Sequence, residues 1–220
     1  MEAGAGGADV EAGSAHGWDH PRGRAAAALR RLGHALMGHE VADDLLEEVA
    51  RAANRVASDL EAQPARQRDL LELKRRMFDV EVADGETVVH FDECFVSGPW
   101  NPMGIAMEVH RDGDEAVAAV TLGPAFEGAP GRSHGGIVAA IFDDVLGYLL
   151  TLEHQPAFTG ELTVRYHAPT PIGQPLTFRG RVVRREPRKL WTTAEATADG
   201  EVVASAEALF ITIDVQRLRP

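Results

Sequence analysis

The chain has 220 residues, a formal net charge of -12 and 45% hydrophobic residues, which suits one principal core with an appendage. Its acidity, with no finger, P-loop or helix-turn-helix signature to offset it, argues against nucleic-acid binding and favours a small-molecule ligand. Cys94 is the only cysteine, so an internal disulfide and a multi-cysteine metal site are excluded and no metal is expected.

Residues 1–24 are rich in Gly, Ala and acids, with only Val10 and Trp18 as bulky apolar groups. They read as a disordered N-terminus without a secretory signal pattern, which makes a cytoplasmic location the default. Residues 25–77 read as a helical arm. In it Leu45, Leu46, Val49, Ala53, Val56 and Leu60 recur at three- and four-residue steps, the mark of an amphipathic helix, with interruptions near Gly33 and Gly38. A shorter helix is expected over Arg66 to Met77, after the break at Pro64.

From residue 78 the period changes to two. Phe78 to Val82 and Val88 to Asp92 read as short strands about the Asp84-Gly85 turn, and Ile105 to His110 and Ala116 to Leu122 as a hairpin about Asp112-Gly113-Asp114. Ser97 to Gly104 and Gly123 to Arg132 read as loops. Ser133 to Leu150 follows as a helix apolar on nearly every side, suited to enclosure by other elements. Asp143 and Asp144 interrupt it, so no membrane span is expected. Four strands come next: Phe158 to His167, Leu176 to Arg185, Leu190 to Ala198 and Val202 to Val215, the last two joined by Asp199-Gly200. Antiparallel strands with one helix fit an α+β layer packing.

His134-Gly135-Gly136 opens that helix, and Asp143 lies nine residues beyond His134. Phe126 to Gly131 lead into the triplet, Asn101-Pro102-Met103-Gly104 stands upstream, and Leu162 to Pro169 with Pro171-Ile172-Gly173 stands downstream. This ordered set resembles the hotdog-fold acyl-CoA thioesterases of the 4-hydroxybenzoyl-CoA thioesterase superfamily, in particular the phenylacetyl-CoA thioesterase-type branch. The likeness runs from about Phe91 to Val215 and leaves the N-terminal arm outside.

The resemblance implies a curved antiparallel sheet wrapped around one long central helix over residues 78–220, with the arm as an N-terminal extension. It implies a homodimer or homotetramer with sites between subunits, an acyl-CoA as small-molecule partner and substrate, and no separate cofactor. By family match Asp143 is the general base or nucleophile, with burial expected to raise its pKa. The Gly135 N–H is the oxyanion donor with Gly136 next, at a helix start where backbone donors are free. His134 positions the loop or the carbonyl, or is a structural histidine. Thr159 is the hydroxyl that orients water, although Thr163, counted on the same strand face, competes with it. Asn101, Phe142, Thr163, Arg184 and Arg185 are the candidates to bind substrate, the two arginines at the CoA phosphates; a turn former at Asn101, core packing at Phe142 and a solvated cationic face at the arginines are the competing readings. Where some relatives carry an amide side chain six residues before His134, this chain has Gly128. Asp144 has no role in the family pattern; an arginine partner or a local polar network is expected for it. Two other readings stand beside hydrolysis: a non-catalytic acyl-CoA-binding or regulatory protein, and a hotdog dehydratase or hydratase, whose histidine-acid arrangement on the helix is not evident.

Overall fold

The structure, a computed structural model, describes residues 16–67, 80–88 and 90–213. Three helices lead: α1 (His16–Asp19), α2 (Pro21–Gly38) and α3 (Asp43–Glu61). Strands β1 (Thr87–Val88), β2 (Glu108–Asp112) and β3 (Glu115–Thr121) precede a small hairpin of β4 (Glu127–Ala129) and β5 (Arg132–Ser133). Helix α4 (Gly135–Leu152) follows, then β6 (Ala157–Tyr166), β7 (Pro175–Glu186), β8 (Lys189–Ala198) and β9 (Glu201–Thr212).

Seven strands form one sheet in the order β1-β2-β3-β7-β8-β9-β6, antiparallel throughout. The hairpins follow from their turn residues. Gly113 (φ 60°) stands first in the two-residue β2–β3 loop, and Asp199 (φ 50°) and Gly200 (φ 82°) both take the positive φ that a tight β8–β9 turn demands. The sheet curls around α4, which packs against β2, β3, β6, β7, β8 and β9. Val138, Ile141, Phe142, Val145, Leu146 and Leu149 are buried at helical spacing, each worth about 1.5–3 kcal/mol relative to exposure. Phe142 meets Phe178 of β7 edge-on, with ring centroids 5.1 Å apart. Gly180 lets β7 and helix approach closely, since a Cβ there would stand 3.0 Å from Leu146 Cδ2. By length and hydropathy α4 is long enough to cross a membrane, yet its apolar residues fill this core. The expected α+β hotdog architecture is present.

Several elements differ from the sequence reading. Helix begins at His16, inside the stretch assigned to a disordered terminus, and α2 runs through Gly33 to end at Gly38. Helix α3 buries none of its residues, and Leu45, Val56 and Leu60 of the expected stripe are exposed. The strand expected over Val88 to Asp92 stops at Val88, and β2 starts only at Glu108. Residues 90–107 form no strand, and side-chain contacts to α4 hold this stretch in place of sheet pairing. The loop after Gly123 contains the β4–β5 hairpin. The expected Arg66–Met77 helix and the Phe78 strand start lie mostly outside the described residues.

Candidate active site

At the start of α4, His134 is extended (φ -63°, ψ 131°) and caps the helix with its own ring: Nδ1 accepts the Gly136 N–H at 3.0 Å. This commits the Gly136 donor, expected as a second oxyanion contact, to the cap. Among the described residues no acceptor takes the Gly135 N–H, which leaves it aimed outward at the positive end of the helix. His134 is itself tied down, its N–H donating to the Phe126 carbonyl at 2.8 Å. A Cβ on Gly128 would lie 2.7 Å from His134 Cα. Contact with the cap thus explains why no amide side chain occupies that position.

Strand β6 runs along α4 and meets it twice. Near its end the Tyr166 hydroxyl donates to the Gly135 carbonyl at 2.6 Å. Near its beginning the Thr159 hydroxyl donates to Asp143 Oδ1 at 2.8 Å. Both residues owe their direction to a bulge. Thr159 pairs with Phe210 and Glu161 with Leu209, so Gly160 is the extra residue. Thr159 therefore shares a face with buried Phe210, while Thr163 pairs with Glu207, which is exposed. The bulge overturns the simple count that placed Thr159 and Thr163 on one face. Tyr166, opposite buried Ala204, falls on the helix side with Thr159. Sequence reasoning missed this tyrosine, although a glycine inside a strand is a bulge signal.

Burial separates the two adjacent carboxylates in the opposite sense to expectation. Asp143 is exposed on the chain. Asp144 points inward, accepts from the Cys94 thiol at 3.2 Å through Oδ1, and keeps a buried Oδ2 with no hydrogen-bond partner among the described residues. Burial pushes its pKa up to about 6, against the opposing pull of Ser97 and Cys94; the charge of Asp143 adds a smaller upward push. The Cys94 thiol is likewise raised by burial and by Asp144. One and two turns along the helix, Tyr148 donates to Ser97 at 2.9 Å and stacks on His90 at 3.5 Å, and Thr151 bonds His90 Nε2 at 2.8 Å. This polar seam pins residues 90–97 to α4, and it is a local network rather than the alternative arginine pair.

The expected substrate contacts are dispersed. Asn101 is spent on its own loop, donating to the Glu93 carbonyl at 3.2 Å and accepting from the Met103 N–H at 2.9 Å. Phe142 is fully buried against Phe178 and so is core rather than pocket wall. Arg185 is held by Glu153 through two hydrogen bonds, and Arg184 pairs with Glu186 while lying 4.4 Å over the Trp191 ring. Neither guanidinium stands beside the glycines. Arg132, exposed in β5 next to Ser133, has no carboxylate partner among the described residues. Those residues also contain no cluster of three His, Cys, Asp or Glu fit for a metal.

A sheet curled around one helix, with an outward glycine donor at the helix start and a carboxylate bonded to a hydroxyl on the edge strand, defines a hotdog-fold protein with a candidate acyl-transfer site. Residues 131–205 match the model of the thioesterase superfamily. The crystal structure of a thioesterase superfamily protein is 32% identical and superposes with a TM-score of 0.74, covering 88% of this chain and 96% of that one. The chain belongs to the thioesterase superfamily. Acyl-coenzyme A thioesterase THEM4 of Xenopus laevis is 34% identical over 91 residues, 40% of this chain and 41% of that protein. Acyl-coenzyme A thioesterase THEM5 of Mus musculus is 27% identical over 109 residues, 49% of this chain and 44% of its own length. The chain thus spans less than half the length of these curated relatives.

Proposed function

We propose that the protein hydrolyses an acyl-CoA thioester to the free acid and CoA. The observation that carries this reading is the Thr159–Asp143 hydrogen bond, on the same strand and helix that present Gly135. Thr159 occupies Asp143 Oδ1, leaving Oδ2 to take a proton from water. The water oxygen bonds the thioester carbon while the carbonyl oxygen, gaining negative charge, receives the N–H of the partner subunit's Gly135, because Gly135 and Asp143 of one chain lie about 12 Å apart along the helix. Collapse re-forms the carbonyl and breaks the carbon–sulfur bond, releasing the CoA thiolate, which takes up a proton. A donor placed for such an oxyanion is typically worth about 10²–10³ in rate.

Strand β6 is an edge of the sheet, and Asp143 and Thr159 are exposed beside it. A second copy covering that edge shields the carboxylate and hydroxyl from bulk water, so we place the working site at the interface of a homodimer, with a tetramer built from two. Arg132 is our candidate for the CoA phosphates. Thiol release from a panel of acyl-CoAs, read with light scattering at the same concentration, tests both halves. Turnover by an assembly of two or more chains is expected; no turnover on any acyl group removes the hydrolytic reading, and a mass near that of one chain removes the shared site.

A further inference from the structure

Helix α2 is built inside out. Its inward face carries Gly23, Ala26, Arg30 and His34, whereas Leu29, Leu32, Leu36 and Met37 are exposed. A helix that docks for its apolar area would show the reverse. What the inward face makes instead is a set of directed polar contacts, and these reach the two loops that flank α4.

Arg30 is partly buried and lacks a carboxylate partner among the described residues. One guanidinium nitrogen donates to the carbonyls of Pro99 and Asn101, at 3.0 and 2.7 Å. The same loop is held from α1 and from His20, the N-cap of α2, Trp100 donating to the Gly17 carbonyl at 2.8 Å and stacking on His20 with centroids 4.5 Å apart. Through Cys94 it reaches Asp144 of α4. One turn beyond Arg30, His34 Nδ1 accepts the Ala125 N–H at 3.2 Å and its ring meets Phe126 edge-on at 5.1 Å. An accepting Nδ1 requires the neutral ring, and burial together with Arg30 lowers the His34 pKa accordingly. The Phe126 carbonyl then takes the His134 N–H, and His134 caps Gly136. Gly38 lets the helix end abut Pro124, where a Cβ would come within 2.9 Å of Cγ.

We propose that α2 is a clamp on the candidate site, with His34 and Arg30 as positioning residues: His34 sets the start of α4 through Phe126 and His134, and Arg30 sets the loop 97–104. The arm is then part of the working unit rather than an appendage. The relative that superposes over 88% of this chain must share part of the arm, since residues 78–220 make up less than two thirds of the 220. The catalytic consequence rests on the hydrolytic reading above; the clamp itself does not.

The test is amide hydrogen exchange on the full chain, with kcat and KM measured in parallel. His34→Phe keeps a ring and loses the acceptor, while His34→Asn keeps an acceptor where Nδ1 lies, at similar helix propensity. Loss of one such bond is expected to speed exchange of amides in 123–136 about tenfold in His34→Phe, with His34→Asn close to wild type and amides of β8 unchanged in both. Arg30→Met is expected to do the same over 92–104. In His34→Phe kcat falls by a similar factor and KM holds. Unchanged exchange in the two loops, equal behaviour of Phe and Asn, or acceleration shared by β8 would overturn the clamp. A wild type that releases no thiol sinks the hydrolytic reading alone, and the exchange data still decide the clamp.

Discussion

Thr159 donates a 2.8 Å hydrogen bond to Asp143 across the gap between β6 and α4, and it does so because Gly160 bulges the strand. The bond fixes one carboxylate oxygen, and among the described residues no donor takes the other. Thr159→Val is expected to lower kcat about tenfold, the usual scale for one hydrogen bond to a charged group, while Thr159→Ser retains most activity. Thr163→Val, on the other face, should stay within twofold of wild type. Equal losses at 159 and 163 in steady-state assays would contradict the assignment.

Gly135 is held between its outward N–H and the Tyr166 hydroxyl on its carbonyl. A Cβ there would stand 3.2 Å from that hydroxyl and 3.3 Å from Tyr166 Cζ, so Gly135→Ala must displace the ring or the helix start. A loss of about 10² in kcat is expected for Gly135→Ala, partly restored in the double variant with Tyr166→Ala, since residues in contact do not add. Strict additivity of the two changes would show that Tyr166 does not press on Gly135.

The buried carboxyl makes a pH signature. Asp144 titrates near 6 in the folded chain, above its ordinary value of 3.8, so between those values the folded state holds more protons than the unfolded. The contribution of this carboxyl to stability is then fully present below about pH 4 and is lost as pH rises through 6. Asp144→Asn removes this term. Its stability relative to wild type, from urea melts, is expected to improve by about 1 kcal/mol between pH 5 and pH 7. A pH-independent difference would mean that Asp144 is not held neutral by burial.

Positive charge near the glycines is tested by reversal. Arg132→Glu should raise KM for an acyl-CoA about tenfold and make it less sensitive to salt, because a phosphate contact is lost. Arg184→Glu and Arg185→Glu change ion pairs that already have acids, and KM is expected to hold. A larger effect at 184 or 185 would return the phosphate site to that hairpin.

The fold was legible because its signals are local. Helix α4 announces itself by apolar residues on every side, and β7, β8 and β9 by alternation punctuated at Asp199-Gly200. Of the candidate site, the part on that helix was legible through the family resemblance, which singled out His134, Gly135 and Asp143, and the structure puts the first at the cap of α4 and the other two within it. What a helix apolar all round does not disclose is which of two adjacent acids faces inward, so burial was assigned to Asp143 and belongs to Asp144. Thr159 and Thr163 were counted on one face because Gly160 was not read as a bulge. Arg184 and Arg185 looked free because the acid that holds Arg185, Glu153, is distant in the chain. Arm docking left no trace, since Gly23, Ala26, Arg30 and His34 form no apolar stripe and the hydrogen-bond partners of Arg30 and His34 lie some 70 to 90 positions away.

The central claim is that Asp143 activates water against a thioester held at Gly135. Single-turnover hydrolysis of an acyl-CoA by wild type and Asp143→Asn, with binding of the same acyl-CoA measured on both, tests it most directly. The expected result is unchanged binding with the rate of thiol release reduced about 10³-fold or more, in keeping with the loss of a general base. Equal release by the two proteins would contradict it.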